Sequence, residues 1–143
     1  MRLIAILGTL FLFAACSPEP RPIEYGTDLC DFCRMTIVDK QHAAELVTSK
    51  GRVYKFDAIE CQVQYLQQHQ DIGFSYFLVT DYASTEGDLL AAENCTYLIS
   101  PNLSSPMGAN LTAFADQEIA QQFQIEKTGD LYNWSSLQAH FAK

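Results

Sequence analysis

Two β-favouring runs, residues 43–49 and 53–56, flank the turn sequence Ser49-Lys50-Gly51-Arg52 and predict a hairpin. Beyond it, Ile59, Val63 and Leu66 recur at helical spacing, with Cys61 and Tyr65 at the flank of that stripe. Asp57 with Glu60 three residues later reads as a capping box opening this helix, which should end between His69 and Asp71. Phe74 to Thr80, aromatic and β-branched, is the next strand, giving the order β-β-α-β. A polar loop spans 81–94. A strand over 95–100, a loop over 101–110 and a short strand over 111–114 then lead to a helix over 116–124. A last strand over 131–134 and a final helical turn capped by Ser135 and reaching Phe141 complete the chain. Thr36-Ile37-Val38 is an additional short strand. The order β-β-α-β therefore occurs twice.

The two halves match at a constant offset. Phe56 aligns with Phe114, Glu60 with Glu118, Gln64 with Gln122 and Tyr65 with Phe123, each time at the β-to-α junction. Units of this size are marginal alone, so the two should pack on each other. The expected fold is α+β: two pseudo-repeated β-β-α-β units, about 36–80 and 95–134, packed together after a disordered lipidated tether.

The N-terminus supplies that tether. Met1-Arg2 is a short positive start and residues 3–13 an apolar run too short to span a bilayer as a helix. Phe13-Ala14-Ala15-Cys16 then looks like a bacterial lipobox, with Phe13 where an aliphatic residue is usual. Residues 1–15 are read as a lipoprotein signal peptide, Cys16 as the lipidated new N-terminus, and 16–28 as an anchored tether stiffened by Pro18, Pro20 and Pro22. The domain proper is 29–143. Acyl chains at Cys16 would hold the protein stably on a bacterial envelope membrane, facing the periplasm, with the choice of membrane open. Of the 143 residues 17 are acidic and 9 basic. Cleavage removes one arginine and no acid. So acidic a surface argues against nucleic acid and against a polybasic membrane patch.

The chemistry concentrates in Cys30-Asp31-Phe32-Cys33-Arg34-Met35, just after the tether. If the backbone is extended there, Cys33 and Met35 project to one side. A thiolate and a thioether sharing one space suit a soft ion such as Cu(I), whereas zinc prefers cysteine with histidine. Apart from Met1 the chain has one other methionine, Met107, in the loop Pro106-Met107-Gly108. The repeat offset places it opposite Ser49, from where it can face the cluster across the interface of the units. Met107 or His42 would complete a low-coordinate site, and Cys30 is a further ligand, a protector or a disulfide partner. Cys61 and Cys95 read as core thiols, His69 as a cation at a helix C-terminus, and His140 as exposed.

Four cysteines in an oxidising compartment allow two disulfides by any of three pairings. A Cys30–Cys33 bridge is also what a lipid-anchored thiol–disulfide oxidoreductase would use. That activity needs its motif at a helix N-terminus after a strand, to lower the thiolate pKa; here the motif follows a tether and leads into a β-run. Zinc held by Cys30, Cys33 and Cys61 is a further alternative that leaves Met35 idle. A bridge that only staples the N-terminus is another.

Taken together, the lipobox, the Cys30–Met35 stretch, Lys55-Phe56-Asp57-Ala58-Ile59-Glu60-Cys61 and Pro106-Met107-Gly108 resemble the NosL family. Its members are copper-binding lipoproteins accessory to nitrous oxide reductase. The resemblance implies two β-β-α-β units and no catalytic turnover. It also implies one bound Cu(I), delivered with a membrane maturation or transport complex to the multicopper site of the reductase. It puts the family's Cys-x-Met element on Cys33 and Met35, and its Met-Gly loop on Met107 and Gly108. Arg34 stands where many relatives carry glycine.

Overall fold

The computed structural model describes residues 17–142; the signal segment and Cys16 lie outside the described residues. Seven strands and three helices follow in the order β1 (Ala44–Thr48), β2 (Val53–Phe56), α1 (Ile59–Gln68), β3 (Phe74–Thr80), β4 (Leu89–Ala91), β5 (Thr96–Ile99), β6 (Leu111–Phe114), α2 (Gln117–Lys127), β7 (Asp130–Tyr132) and α3 (Trp134–Phe141). Two antiparallel sheets result, in the orders β2-β1-β3-β4 and β6-β5-β7. With β5, β6 and β7 set against β1, β2 and β3, the strand orders coincide, and each unit carries its helix between its second and third strands. The mixed α+β architecture of two β-β-α-β units is the one the sequence predicts.

The β1–β2 hairpin is in register with Ala44 opposite Phe56 and Val47 opposite Val53, and Gly51 in the turn adopts φ 83°. In the second unit the hairpin turn is replaced by the long loop 100–110. Period-two alternation assigns that sheet's faces: Tyr97, Leu111 and Ala113 enter the core shared with the first unit, while Leu98 and Phe114 pack with Ala120 beneath α2. α1 touches β1, β2 and β6, and so sits between the units. Its Ile59, Cys61 and Val63 join Phe56, Tyr97 and Leu111 in one core. Each large side chain buried there contributes about 1.5–3 kcal/mol, and that stabilisation is shared by the two units.

Four local expectations change. The capping box at Asp57 is not made: the cap of α1 is Ala58, with no side-chain hydrogen bond, because both box residues are engaged elsewhere. The stretch read as a polar loop contains β4 and a 3-10 turn over Ala92–Asn94, and β4 extends the first sheet by pairing with β3. The last strand ends at Tyr132, and Trp134 opens α3 instead, because Asn133 caps the helix two residues before Ser135, in a reciprocal capping box with Ser136. Thr36-Ile37-Val38 is not a strand; Thr36 makes a single bridge to Leu29. α2, by contrast, is capped by Asp116, whose carboxylate accepts from the N–H groups of Glu118 and Ile119.

The segment before the cluster lies against the first sheet. Glu45 and Lys55 are directly opposed across β1 and β2 and so share a sheet face. Glu45 Oε1 accepts from the Arg21 N–H at 3.0 Å, Lys55 Nζ donates to the Pro22 carbonyl at 2.6 Å, and Ile23 is buried.

Candidate metal centre

Leu29 and Thr36 bridge across a tight loop that carries the motif. The Cys30 N–H donates to the Met35 carbonyl at 2.8 Å, and the Arg34 N–H returns to the Cys30 carbonyl at 3.0 Å. The Cys33 N–H points at Cys30 Sγ, 3.5 Å away. Closing the loop this way requires φ 70° at Arg34, the left-handed conformation that glycine adopts without strain. Arg34 thus keeps the backbone that a glycine would give. The loop is fastened to the edge of β2, where Asp31 donates its N–H to the Lys55 carbonyl and its carboxylate accepts from the Lys55 N–H, both at 2.8 Å.

That edge contact brings the motif to the junction of β2 and α1. Cys33 Sγ donates to Asp57 Oδ1 at 3.2 Å, and the ligand atoms of Cys30, Cys33, Asp57 and Cys61 all lie within 4.8 Å of one another. Cys30, Asp57 and Cys61 are buried; Cys33 is half-buried and forms the accessible side. The four cysteines among the described residues, Cys95 included, are free thiols. Three sulfurs and a carboxylate converging on one small volume form a donor set for a soft cation.

The protons are unequally held. Cys30 is lowered to about 6, chiefly because the Cys61 thiol donates to its sulfur, with help from the Cys33 N–H and against the cost of burial. Cys61 is raised correspondingly, first by giving that hydrogen bond and then by burial. Burial pushes Cys33 up to about 11, with its donation to Asp57 acting in the same direction. Proton affinity is therefore lowered at the buried Cys30 and raised at the accessible Cys33. A dithiol oxidant needs the reverse, an exposed low-pKa nucleophile.

Of the residues singled out in the sequence, Cys30 and Cys33 are brought together. Met35 follows the cluster directly and is half-exposed. Met107 is 42% exposed at the tip of a loop tied to the same helical turn: Ser105 Oγ donates to Glu60 Oε1, as does the Ala109 N–H at 3.4 Å. Glu60 adjoins Cys61, so the loop of the second unit is bolted to the turn that carries the first unit's thiol. His42 is elsewhere engaged. It is buried, with Nδ1 2.8 Å from Asp39 Oδ2 and its ring edge-on to Tyr82, and it is not one of the four clustered residues.

Asp57 and Cys61 are the members that sequence reading assigns to other duties, a helix cap and the core. Their closeness in sequence across a helix start, with Asp57 just before the Ala58 cap and Cys61 in the first turn, is the signal that unites them.

Among solved structures, the crystal structure of the copper chaperone NosL from Shewanella denitrificans superposes with a TM-score of 0.71 at 18% identity, covering 82% of this chain and 93% of that one. Its likeness speaks to the fold. No curated protein sequence matches. The sequence model of the NosL family matches residues 22–142, and the chain accordingly belongs to the NosL family.

Proposed function

We propose that this protein is a Cu(I) chaperone, lipid-anchored through Cys16 and facing the periplasm. It would hand copper to nitrous oxide reductase, or to the membrane maturation and transport complex that serves it. The observation that carries the reading is the convergence of Cys30, Cys33, Cys61 and Asp57 within 4.8 Å at the junction of β2 and α1. The related chaperone of known structure is described as a copper protein, which supports the choice of cargo.

In this reading Cys33 and Met35 hold Cu(I), Cys30 supplies the resident thiolate, and Met107 comes in from the anchored loop. Thioethers have no proton to lose, so Met35 and Met107 donate at any pH. Cys61 shares its proton with Cys30 and gives it up when a cation replaces it. His42 is left out of the set because its ring does not converge with Cys30, Cys33, Asp57 and Cys61. Transfer proceeds by ligand exchange at the half-exposed Cys33 side: a partner's sulfur or imidazole enters before the donor sulfurs leave. No bond of a substrate is made or broken. Among the described residues no helix is long and apolar enough to cross a membrane, so attachment in this reading falls to the lipid.

The test is transfer. Copper-loaded protein, added to copper-depleted reductase together with membranes holding the maturation complex, should restore nitrous oxide reduction. Cys33→Ser protein carried through the same copper loading should restore it at least tenfold less. Equal restoration by a copper–chelator complex alone would contradict a chaperone role, and rapid exchange with a small disulfide without copper retention would favour the oxidoreductase.

A further inference from the structure

We propose that the docked N-terminal segment fixes the domain's orientation at the bilayer, with the β1–β2 turn against the lipid headgroups and the thiol cluster facing away. The inference rests on the lipid anchor at Cys16 and adds to it a contact surface. A free tether over residues 17–28 would let the domain roam on the order of 20 Å, at roughly 5–6 Å times the square root of its length. The segment is not free. Ile23 is buried, Arg21 is held by Glu45, and Pro22 by Lys55. Tyr25 donates from its hydroxyl to the Gly87 carbonyl at 3.3 Å. Pro18 lies against the turn itself, its Cα 3.9 Å from the position a Cβ on Gly51 would take.

The leash therefore shortens to two residues. Cys16 and Pro18 are two Cα steps apart, at most about 7.6 Å, so acyl chains at Cys16 bring the membrane surface to Ser49–Arg52. Lys50 and Arg52 are exposed there and line a cavity of about 400 Å³ with Tyr54, Asp71 and Gly73. Glu19 and Asp71 are the acids nearby. On a chain with formal net charge −8, this pair of cations offsets the two acids beside it and lowers the repulsion from an anionic surface at this end. β2 then leads away from the turn at about 3.4 Å per residue, which puts Asp57 and its thiols roughly 15 Å further out. Cargo held there is presented to the periplasm and not to the lipid.

The experiment uses the full-length acylated protein on nanodiscs of phosphatidylethanolamine and phosphatidylglycerol doped with a gadolinium-chelating lipid. Paramagnetic relaxation is read at backbone amides. Enhancement at residues 49–52 should exceed that at 30–36 and 57–61 several-fold, and ten Gly/Ser residues inserted between Ser17 and Pro18 should abolish the difference. Lys50→Glu with Arg52→Glu should lower the enhancement at the turn at least twofold. Equal enhancement at both ends, a reversed gradient, or a gradient indifferent to the insertion would overturn the proposal. Mass spectrometry of the Cys16 peptide separates the causes. An unacylated protein sinks the anchor and the orientation together, whereas an acylated one without a gradient sinks the orientation alone, and copper binding is unaffected by either result.

Discussion

Arg34 illustrates how one residue can carry strain for a site. Its φ of 70° closes the Cys30–Met35 loop, and its guanidinium gains only a 4.0 Å contact with Asp31 in return. Exposed as it is, that contact contributes little. Arg34→Gly should raise stability by up to about 1 kcal/mol, since a left-handed conformation costs a non-glycine residue roughly that much. Urea unfolding checks this, and copper affinity should stay the same. The residue type was legible in the sequence as a departure from glycine; the retained backbone was not, because φ depends on the Cys30–Arg34 and Cys33–Cys30 contacts that only the folded loop makes.

Glu45 makes a second prediction at this scale. It is fully buried in β1, with Oε2 unpartnered, and burial pushes its carboxyl up to about 7 from 4.5 despite the Arg21 N–H. The folded state thus binds the proton more tightly than the unfolded one. Its contribution is fully present below about pH 4.5 and is lost as pH rises through 7. Glu45→Gln should therefore leave stability little changed near pH 5 and raise it at pH 8 by up to about 3 kcal/mol, each tenfold change in proton affinity being worth about 1.4 kcal/mol. Chemical denaturation at the two pH values measures the difference; a Gln variant less stable at pH 8 would contradict the assignment.

At the scale of elements, the junction of β2 and α1 is built against local rules. Asp57 and Glu60 are placed as a capping box, and the helix forms where they predict it. Yet Asp57 accepts from Cys33 and Glu60 from Ser105, so the helix gives up a cap in exchange for two tertiary ties. Such a cap is typically worth about 1 kcal/mol. Sequence reasoning recovers the strands and helices because period and turn chemistry are local. It misassigns Asp57 and Cys61 because the partners that redirect them lie 24 and 31 residues away in the chain. The same limit explains β4: Leu89-Leu90-Ala91 is too short to read as a strand until β3 is beside it.

Glu60 tests this picture. Glu60→Ala leaves the buried Ser105 hydroxyl and the Ala109 N–H without their acceptor, at a cost of about 2–3 kcal/mol. It should also weaken Cu(I) binding to the extent that Met107→Ala does, because the loop loses its bolt. Glu60→Gln keeps an acceptor oxygen and should show less than half of both effects. Denaturation and copper competition on the same samples read them together.

For the whole molecule, the repeat is what makes a site from two distant stretches. Equivalent strand orders in the two sheets leave α1 between the units, and the long β5–β6 loop stands where the first unit has a four-residue turn. A loop at that place reaches the end of α1 that carries Cys61. The weak sequence repeat was enough to suggest the architecture and Met107's route toward the cluster. It could not show that Ser105 and Ala109, flanking the methionine, make the tie, nor that the N-terminal segment folds back along the other face of the first sheet.

The central claim is that the sulfurs gathered at this junction hold Cu(I). Anaerobic titration of the reduced protein with Cu(I) against a competing chelator tests it most directly, on wild type, Cys33→Ser, Met35→Ala and Met107→Ala. Tight one-to-one binding is expected for wild type, lost in Cys33→Ser and weakened at least several-fold in each methionine variant. Equal affinity in all four proteins would contradict the claim.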